Sequence, residues 1–366
     1  MKGARQAEDF ARNPHTPALD GLRGMAAYMV VISHVSNATG LWGTMLGQGG
    51  GQVGVMIFFV LSGYLMGALY RDRPMTAANV MDYAVRRFAR VVPLFYLVVT
   101  ASFVLEFVSV TAGLGFQVYG IRPDEAVIHY AFVWGVNVLW TIPVEIHFYV
   151  LFVPLWWLYA RSARAMILLS AFAAIAYCVL PITVPQEPRT FPYYAVFFLC
   201  GMLTSHVVRL DAQPAKSVLW TVFLTACFLL PFILYPNIYA VLFGRSGWLL
   251  REEYQQMWHD ARYPAAATLC LVAALCAAPV RAMLAHKVMV YAGAISYSVY
   301  LLHIPVIGAL ARFTPLQAYP VAFLLAALAG TTVLATVSFF AFERPVRLCI
   351  YSAVAAARAR AGTGRR

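Results

Sequence analysis

Arg23 and His34 are two ionisable residues in an apolar stretch near the start of the chain. They are eleven residues apart, so in an α-helix they fall about 20° apart around the axis and roughly 16 Å apart along it. Ionisable groups inside a membrane helix are costly and usually mark a functional site. We therefore predict that both side chains share one functional helix face and that His34 is a general base. The structural alternatives are membrane anchoring by Arg23 and helix packing by His34.

A second basic group, Arg86, Arg87 and Arg90, precedes a later apolar stretch. Spacings of three and four residues bring side chains to the same face of a helix. Guanidinium groups bind phosphates through paired, charge-assisted hydrogen bonds. We expect Arg87 and Arg90 to bind phosphate groups together with Arg23. Ordinary anchoring of the helix end is the alternative.

Glu145 is a carboxylate within another apolar stretch, at the depth expected for His34. A carboxylate beside an imidazole can orient it and favour its charged form. We predict a catalytic role for Glu145 as the residue that orients His34, with an ion pair between helices as the alternative. Five further polar residues are predicted to line the same site: Asp20, Ser62, Tyr149, Ser296 and His303.

The composition indicates the environment of these residues. Of 366 residues, 62% are hydrophobic and 11% are charged, and the mean hydropathy is +0.72. Soluble domains contain roughly 25% charged residues and bury too little surface to hide so many apolar side chains. The sequence therefore excludes a soluble multidomain protein, a disordered chain and a coiled coil. It predicts an all-α integral membrane protein.

A membrane-spanning helix needs about 20 mostly apolar residues, and ten segments of the chain are candidates. They lie near residues 18–38, 51–70, 91–113, 141–160, 164–182, 191–209, 217–236, 264–280, 288–311 and 319–342. We interpret residues 18–345 as one transmembrane domain, between a cytoplasmic segment at 1–17 and a cytoplasmic basic tail at 346–366, of which Ala353–Arg366 is expected to be frayed.

Charge distribution predicts the orientation of the ten segments. With the N-terminus inside, 21 of the 27 lysines and arginines fall on the cytoplasmic side and 6 fall outside. Basic residues accumulate in cytoplasmic loops, so both termini are predicted to be cytoplasmic. The net charge of +12 then reflects membrane orientation and contact with lipid, and no nucleic-acid partner is expected.

Six motifs in order resemble the membrane-bound acyltransferase family 3, from Leu19 to about Pro345. Thr141 and Met56 depart from this pattern at positions where the family usually has Ser and often has an acidic residue. The matching segments are Leu19–Gly24 with His34, Gly54–Tyr64, Arg87–Tyr96, Trp140–Tyr149, Ser296–His303 and Glu343–Pro345.

The resemblance implies transfer of an acyl group, usually acetyl, from cytoplasmic acyl-CoA to a hydroxyl group. It implies a co-substrate rather than a bound cofactor, and a multi-pass protein of the inner (plasma) membrane. The expected acceptor is a lipid-linked or cell-surface polysaccharide such as lipopolysaccharide. Some family members carry an extracellular hydrolase-like domain after the last span, and none is expected here.

Two alternative functions stay open at the level of the sequence. One is acyl transfer to a small molecule resembling a macrolide. The other is a glycan transporter, since many spans with buried polar groups suit one. No glycine-rich nucleotide motif follows a strand pattern, and no His, Cys or carboxylate set has metal-ligand spacing, so a dinucleotide or metal enzyme is disfavoured.

Overall fold

A computed structural model of the chain shows an all-helical protein. It describes residues 16–47, 49–115, 117–122, 124–179, 191–243 and 257–363. In its described part, each of the ten predicted segments coincides with a helix or with a pair of helices joined by a bend; residues 180–182 of the segment 164–182 lie outside the described residues. The all-α prediction is therefore confirmed.

Fourteen α-helices are described, together with short 3₁₀ segments between them and one π-helical turn at Phe339–Glu343. The α-helices are α1 (Pro17–Thr39), α2 (Gly50–Tyr70), α3 (Ala77–Thr111), α4 (Ala126–Tyr130), α5 (Thr141–Arg161), α6 (Ala163–Val179), α7 (Ala195–Val207), α8 (Val218–Ile233), α9 (Pro236–Leu242), α10 (Arg262–Cys276), α11 (Ala278–Leu284), α12 (Lys287–Phe313), α13 (Pro320–Ser338) and α14 (Arg344–Thr363).

Among the described residues, five helical stretches are long and apolar enough to cross a membrane. The number rises to seven if each of two bent pairs, α8 with α9 and α10 with α11, forms one span. The helices of these pairs meet at 106° and 88°. The protein is thus a multi-pass membrane protein, whereas the count of ten spans and the cytoplasmic position of both termini stay predictions.

Helices α1 and α12 pack directly against each other, backbone to backbone. A Cβ atom added to Gly293 would lie 1.9 Å from the carbonyl oxygen of Asp20. One added to Gly24 would lie 2.6 Å from the nitrogen of Gly293. Small residues permit such close approach between membrane helices. This crossing brings the predicted site residues of α1 beside those of α12.

Helices α2 and α7 make a second close crossing. A Cβ atom on Gly63 or on Gly201 would lie 1.9 Å from a backbone oxygen of the opposite helix, Phe198 or Val60 respectively. The glycines of the second predicted span therefore serve helix packing. Ser62, the neighbour of Gly63, is left to face the interior of the bundle.

The C-terminal region differs from the sequence prediction of a frayed tail. The chain remains helical from Pro320 to Thr363, through the π-helical turn. Arg358 of α14 makes an ion pair with Asp82 of α3. Glu343 is buried, and its nearest cationic partner is Arg347 at 3.8 Å. Residues four apart meet on one helix face, which explains this pairing.

Candidate active site

A cavity of about 270 Å³ lies between α1, α2, α3, α5 and α12. Eight of the ten predicted site residues line it: Asp20, Arg23, Ser62, Arg87, Arg90, Glu145, Tyr149 and Ser296. His34 and His303 are not among the described residues that line it. The structure thus gathers the predicted polar groups at one place and holds the two histidines apart from them.

Three arginines give the cavity its basic character. Arg23 donates to Asp20 one turn earlier on α1, with 2.8 Å between Nη1 and Oδ1. Arg87 lies over the ring of Tyr149, 5.7 Å from its centroid, and its Nε atom is buried without a hydrogen-bond partner among the described residues. Because guanidinium groups bind phosphate through several N–H groups, this part of the cavity suits an anionic ligand.

Arg90 shares the cavity with Arg87, whereas Arg86 lies outside the lining. The three-residue spacing of Arg87 and Arg90 on α3 directs both side chains to the same helix face. The hydroxyl of Tyr297 on α12 donates to the carbonyl of Val91 at 2.7 Å. This bond links α12 to the turn of α3 that carries Arg87 and Arg90.

Glu145 lies at the centre of a small hydrogen-bonded group in the cavity. Its carboxylate accepts from Ser62 of α2 at 3.2 Å and from the hydroxyl of Tyr149, one turn later on α5. Across the described ranges, no hydrogen bond or ion pair joins this carboxylate to His34. The geometry therefore does not support the expectation that Glu145 orients His34.

His34 instead faces another imidazole. The rings of His34 on α1 and His303 on α12 have centroids 5.1 Å apart, tilted by 52°. His303 is fully buried at 0% exposure, whereas His34 is half-buried. Their proximity follows from the close crossing of α1 and α12. The two histidines form one polar pair within an apolar bundle.

Two aromatic residues separate the cavity from the histidine pair. Phe58 and Tyr300 both line the cavity, and their rings meet edge to face at 6.2 Å. The ring of Tyr300 also lies 5.9 Å from that of His303. Thr141 donates to the Tyr300 hydroxyl, which donates in turn to the carbonyl of Val138. The boundary of the cavity is therefore held by hydrogen bonds as well as by packing.

Sequence reasoning missed several cavity residues, chiefly Tyr297, Tyr300, Thr141 and Phe58. The spacing of Tyr297 and Tyr300 by three residues, just before His303, was a usable signal. Ser296 lines the cavity, but its hydroxyl donates to the carbonyl of Gly293 on its own helix. This leaves less of its hydrogen-bonding capacity for a ligand.

Tyr119, in the loop between α3 and α4, contacts the part of α12 that carries His303. Pro305 lies inside α12 and has no N–H, so the carbonyl of Leu301 lacks its usual helical donor. The hydroxyl of Tyr119 donates to that carbonyl at 2.7 Å. Burial raises the pKa of Tyr119 well above its usual value, so the phenol remains a donor. The turn of α12 that carries His303 is thereby anchored.

Comparison with known proteins agrees with this geometry. A family profile described as "Acyltransferase domain" matches residues 16–342. The Putative peptidoglycan O-acetyltransferase YrhL of Bacillus subtilis (strain 168) is 24% identical over 377 aligned residues, which cover 91% of this chain and 55% of YrhL. The chain thus spans about half the length of that relative.

A shorter match is to the Peptidoglycan O-acetyltransferase OatA of Listeria monocytogenes serovar 1/2a (strain ATCC BAA-679 / EGD-e). It is 33% identical over 87 residues, which are 23% of this chain and 13% of OatA. No solved structure matches the chain significantly. The family profile covers most of the chain, including every residue that lines the cavity. The chain therefore belongs to the acyltransferase 3 family.

Proposed function

We propose that this protein is an O-acetyltransferase that moves an acetyl group from acetyl-CoA to a hydroxyl of a cell-surface or lipid-linked polysaccharide. The observation that carries the proposal is the cavity in which Arg23, Arg87 and Arg90 meet at one end of the bundle. These arginines bind the phosphates of CoA, and the extended pantetheine arm runs along α1 toward His34. The orientation predicted from charge puts the donor on the cytoplasmic face of the plasma membrane.

The proposed reaction needs one general base. His34 Nε2 or Nδ1 takes the proton from the acceptor hydroxyl while its oxygen attacks the thioester carbonyl. A new C–O ester bond forms, the C–S bond breaks, and the proton passes to the CoA thiolate. General-base assistance typically contributes about 10²–10⁴-fold. An acetyl-His34 intermediate is a second route to the same products.

The position of His34 on α1 supports access from two sides. Arg23 lies near the beginning of this helix, and His34 lies five residues before its end at Thr39. Since His34 does not line the described cavity, the donor has to pass the Phe58–Tyr300 boundary to reach it. The acceptor approaches His34 from the opposite end of α1. We propose that Glu145, within the cavity, contacts the donor.

The names of the two relatives favour a glycan acceptor. Both are described as peptidoglycan O-acetyltransferases, and their similarity to this chain lies within the family domain. A cell-wall or surface polysaccharide is therefore the acceptor class to test first. A macrolide-like small molecule is the second acceptor to test.

The test uses membranes that contain the full chain and acetyl-CoA labelled in the acetyl group. Wild type is compared with His34→Ala and with His206→Ala as a control. His206 is another partly buried histidine, stacked on Tyr159 and outside the cavity lining. We expect label in the glycan fraction from wild type and His206→Ala, with His34→Ala retaining acetyl-CoA binding but losing transfer.

Each outcome has a definite meaning. Transfer by a folded His34→Ala variant at the wild-type rate would refute the proposed base. Label in a small-molecule fraction alone would replace the glycan acceptor by the alternative. Acid-labile label on a His34 peptide, seen without acceptor, would select the acetyl-enzyme route over direct transfer.

A further inference from the structure

We propose that His303 is a positioning residue for His34: its Nε2 atom accepts the N–H of His34 and so turns the free lone pair of His34 toward the substrate. This inference deepens the proposed acyl transfer and rests on it for its catalytic meaning. The pairing itself rests on the contact between α1 and α12 and on the hydrogen bonds of His303.

The tautomer of His303 follows from its hydrogen bonds. Its Nδ1 atom lies 2.7 Å from the carbonyl oxygen of Tyr300 and 3.3 Å from that of Val299. A carbonyl oxygen can only accept, so Nδ1 has to carry the proton. In the neutral imidazole, Nε2 is then a bare acceptor. The helix backbone therefore determines which nitrogen of His303 is available to a neighbour.

That available nitrogen is buried and unused. Nε2 of His303 has no hydrogen-bond partner among the described residues, although the residue is fully buried. Leaving a buried acceptor without a hydrogen bond is unfavourable. The tilted ring of His34, with its centroid 5.1 Å away, is the titratable neighbour. The hydrogen bond is not formed among the described residues, and rotation about χ2 of His34, a torsion with a broad energy minimum, is the movement that the proposal requires.

The difference in burial between His34 and His303 indicates which of the two meets the substrate. His34 is half-buried and can therefore meet a substrate, whereas His303, at 0% exposure, cannot. When His34 donates one N–H to His303, its other nitrogen keeps the lone pair that a general base needs. His303 then acts only through His34.

The carboxylates near the site are engaged elsewhere. Glu145 accepts from Ser62 and Tyr149, and Asp20 accepts from Arg23. Glu343, on the far side of α12, accepts from Ser298. Within the described residues, His303 is thus the group placed to perform the orienting task that a carboxylate often performs for a catalytic histidine.

Two substitutions of His303 distinguish the role of its Nε2 atom from that of its Nδ1 atom. In His303→Gln the longer side chain places an amide oxygen where Nε2 lies, so an acceptor for His34 remains. In His303→Asn the amide replaces the Nδ1 end and provides no acceptor at the Nε2 position. Both variants are polar and of similar size. His206→Asn is the matched control, because its Nε2 is likewise buried without a described partner.

The closing experiment measures kcat and KM for acetyl-CoA on the full chain in membranes, with folding checked by size-exclusion chromatography. We expect His303→Asn to lower kcat about tenfold to a hundredfold, as loss of an orienting partner does for metal-bound histidines, with little change in KM. His303→Gln should retain most of the wild-type kcat, and His206→Asn all of it. Equal loss in folded Gln and Asn variants, or no loss in Asn, would overturn the proposal.

A second readout does not depend on turnover. Diethylpyrocarbonate modifies a bare imidazole nitrogen, and mass spectrometry follows the His34 peptide. Without an acceptor at residue 303, the His34 proton is shared between both nitrogens, so the substrate-facing nitrogen is bare about half of the time. Modification there should therefore slow about twofold in His303→Asn and not in His303→Gln. Equal rates in both would refute the pairing. An inactive wild type with this pattern would refute the proposed function and leave the pairing supported.

Discussion

Replacement of Gly293 by alanine tests whether the close crossing of α1 and α12 holds the site together. The added Cβ would lie 1.9 Å from the carbonyl oxygen of Asp20, whereas ordinary contact begins at 3.4 Å. The two backbones therefore have to separate by about 1.5 Å at this point, and overpacking of this kind costs about 1–3 kcal/mol. Gly308 is the control on the same helix, because its added Cβ would meet nothing within 4 Å.

The two variants gain the same helix propensity, about 0.5–1 kcal/mol for alanine over glycine. The difference in stability between them therefore reports the effect of the close crossing alone. We expect Gly293→Ala to unfold at a lower temperature than Gly308→Ala in the same detergent and at the same scan rate. Misplacement of catalytic groups by about 1 Å can cost 10²-fold in rate, so acetyl transfer should fall similarly in Gly293→Ala. Equal unfolding temperatures and equal transfer rates in the two variants would refute this account of the crossing.

Three further predictions concern single side chains. Arg87→Gln should raise KM for acetyl-CoA about tenfold or more, because hydrogen bonds to charged groups contribute about 1.5–3 kcal/mol, while Arg209→Gln at an exposed position leaves it unchanged; equal KM values would mean that Arg87 does not bind the donor. Tyr119→Phe removes the donor to the carbonyl of Leu301 and should destabilise the protein by about 1 kcal/mol, measured by thermal unfolding; an unchanged midpoint would contradict the anchoring role. Glu145→Gln should raise KM for acetyl-CoA about tenfold, because hydrogen bonds to a charged group contribute about 1.5–3 kcal/mol and Glu145 is proposed to contact the donor; an unchanged KM would show that it does not.

The positions of the arginines illustrate what could be predicted from the sequence. Arg87 and Arg90 are three residues apart, and helical geometry alone places them on one face, which in the structure is the face that lines the cavity. The apolar content predicted the all-helical fold, and the ten apolar segments coincide with helices. These properties depend on residue type and on spacing within one helix, both of which can be read from the order of residues.

The bent pairs and the end of the chain were harder to predict. Hydropathy does not reveal that α8 and α9 meet at 106°, because a bend depends on what each half packs against. The helix continuing to Thr363 also exceeds the predicted boundary. Its Arg358 is paired with Asp82, far away in sequence.

The partners of the site residues were decided only by the tertiary structure. From the sequence, Glu145 was the expected neighbour of His34, since both were predicted at the same depth. In the fold, His34 instead lies beside His303, and Glu145 accepts hydrogen bonds from Ser62 and Tyr149. Helical periodicity determines which residues share a face, but contact between faces depends on where helices cross. That crossing is set by small residues such as Gly24 and Gly293, where the two backbones can touch.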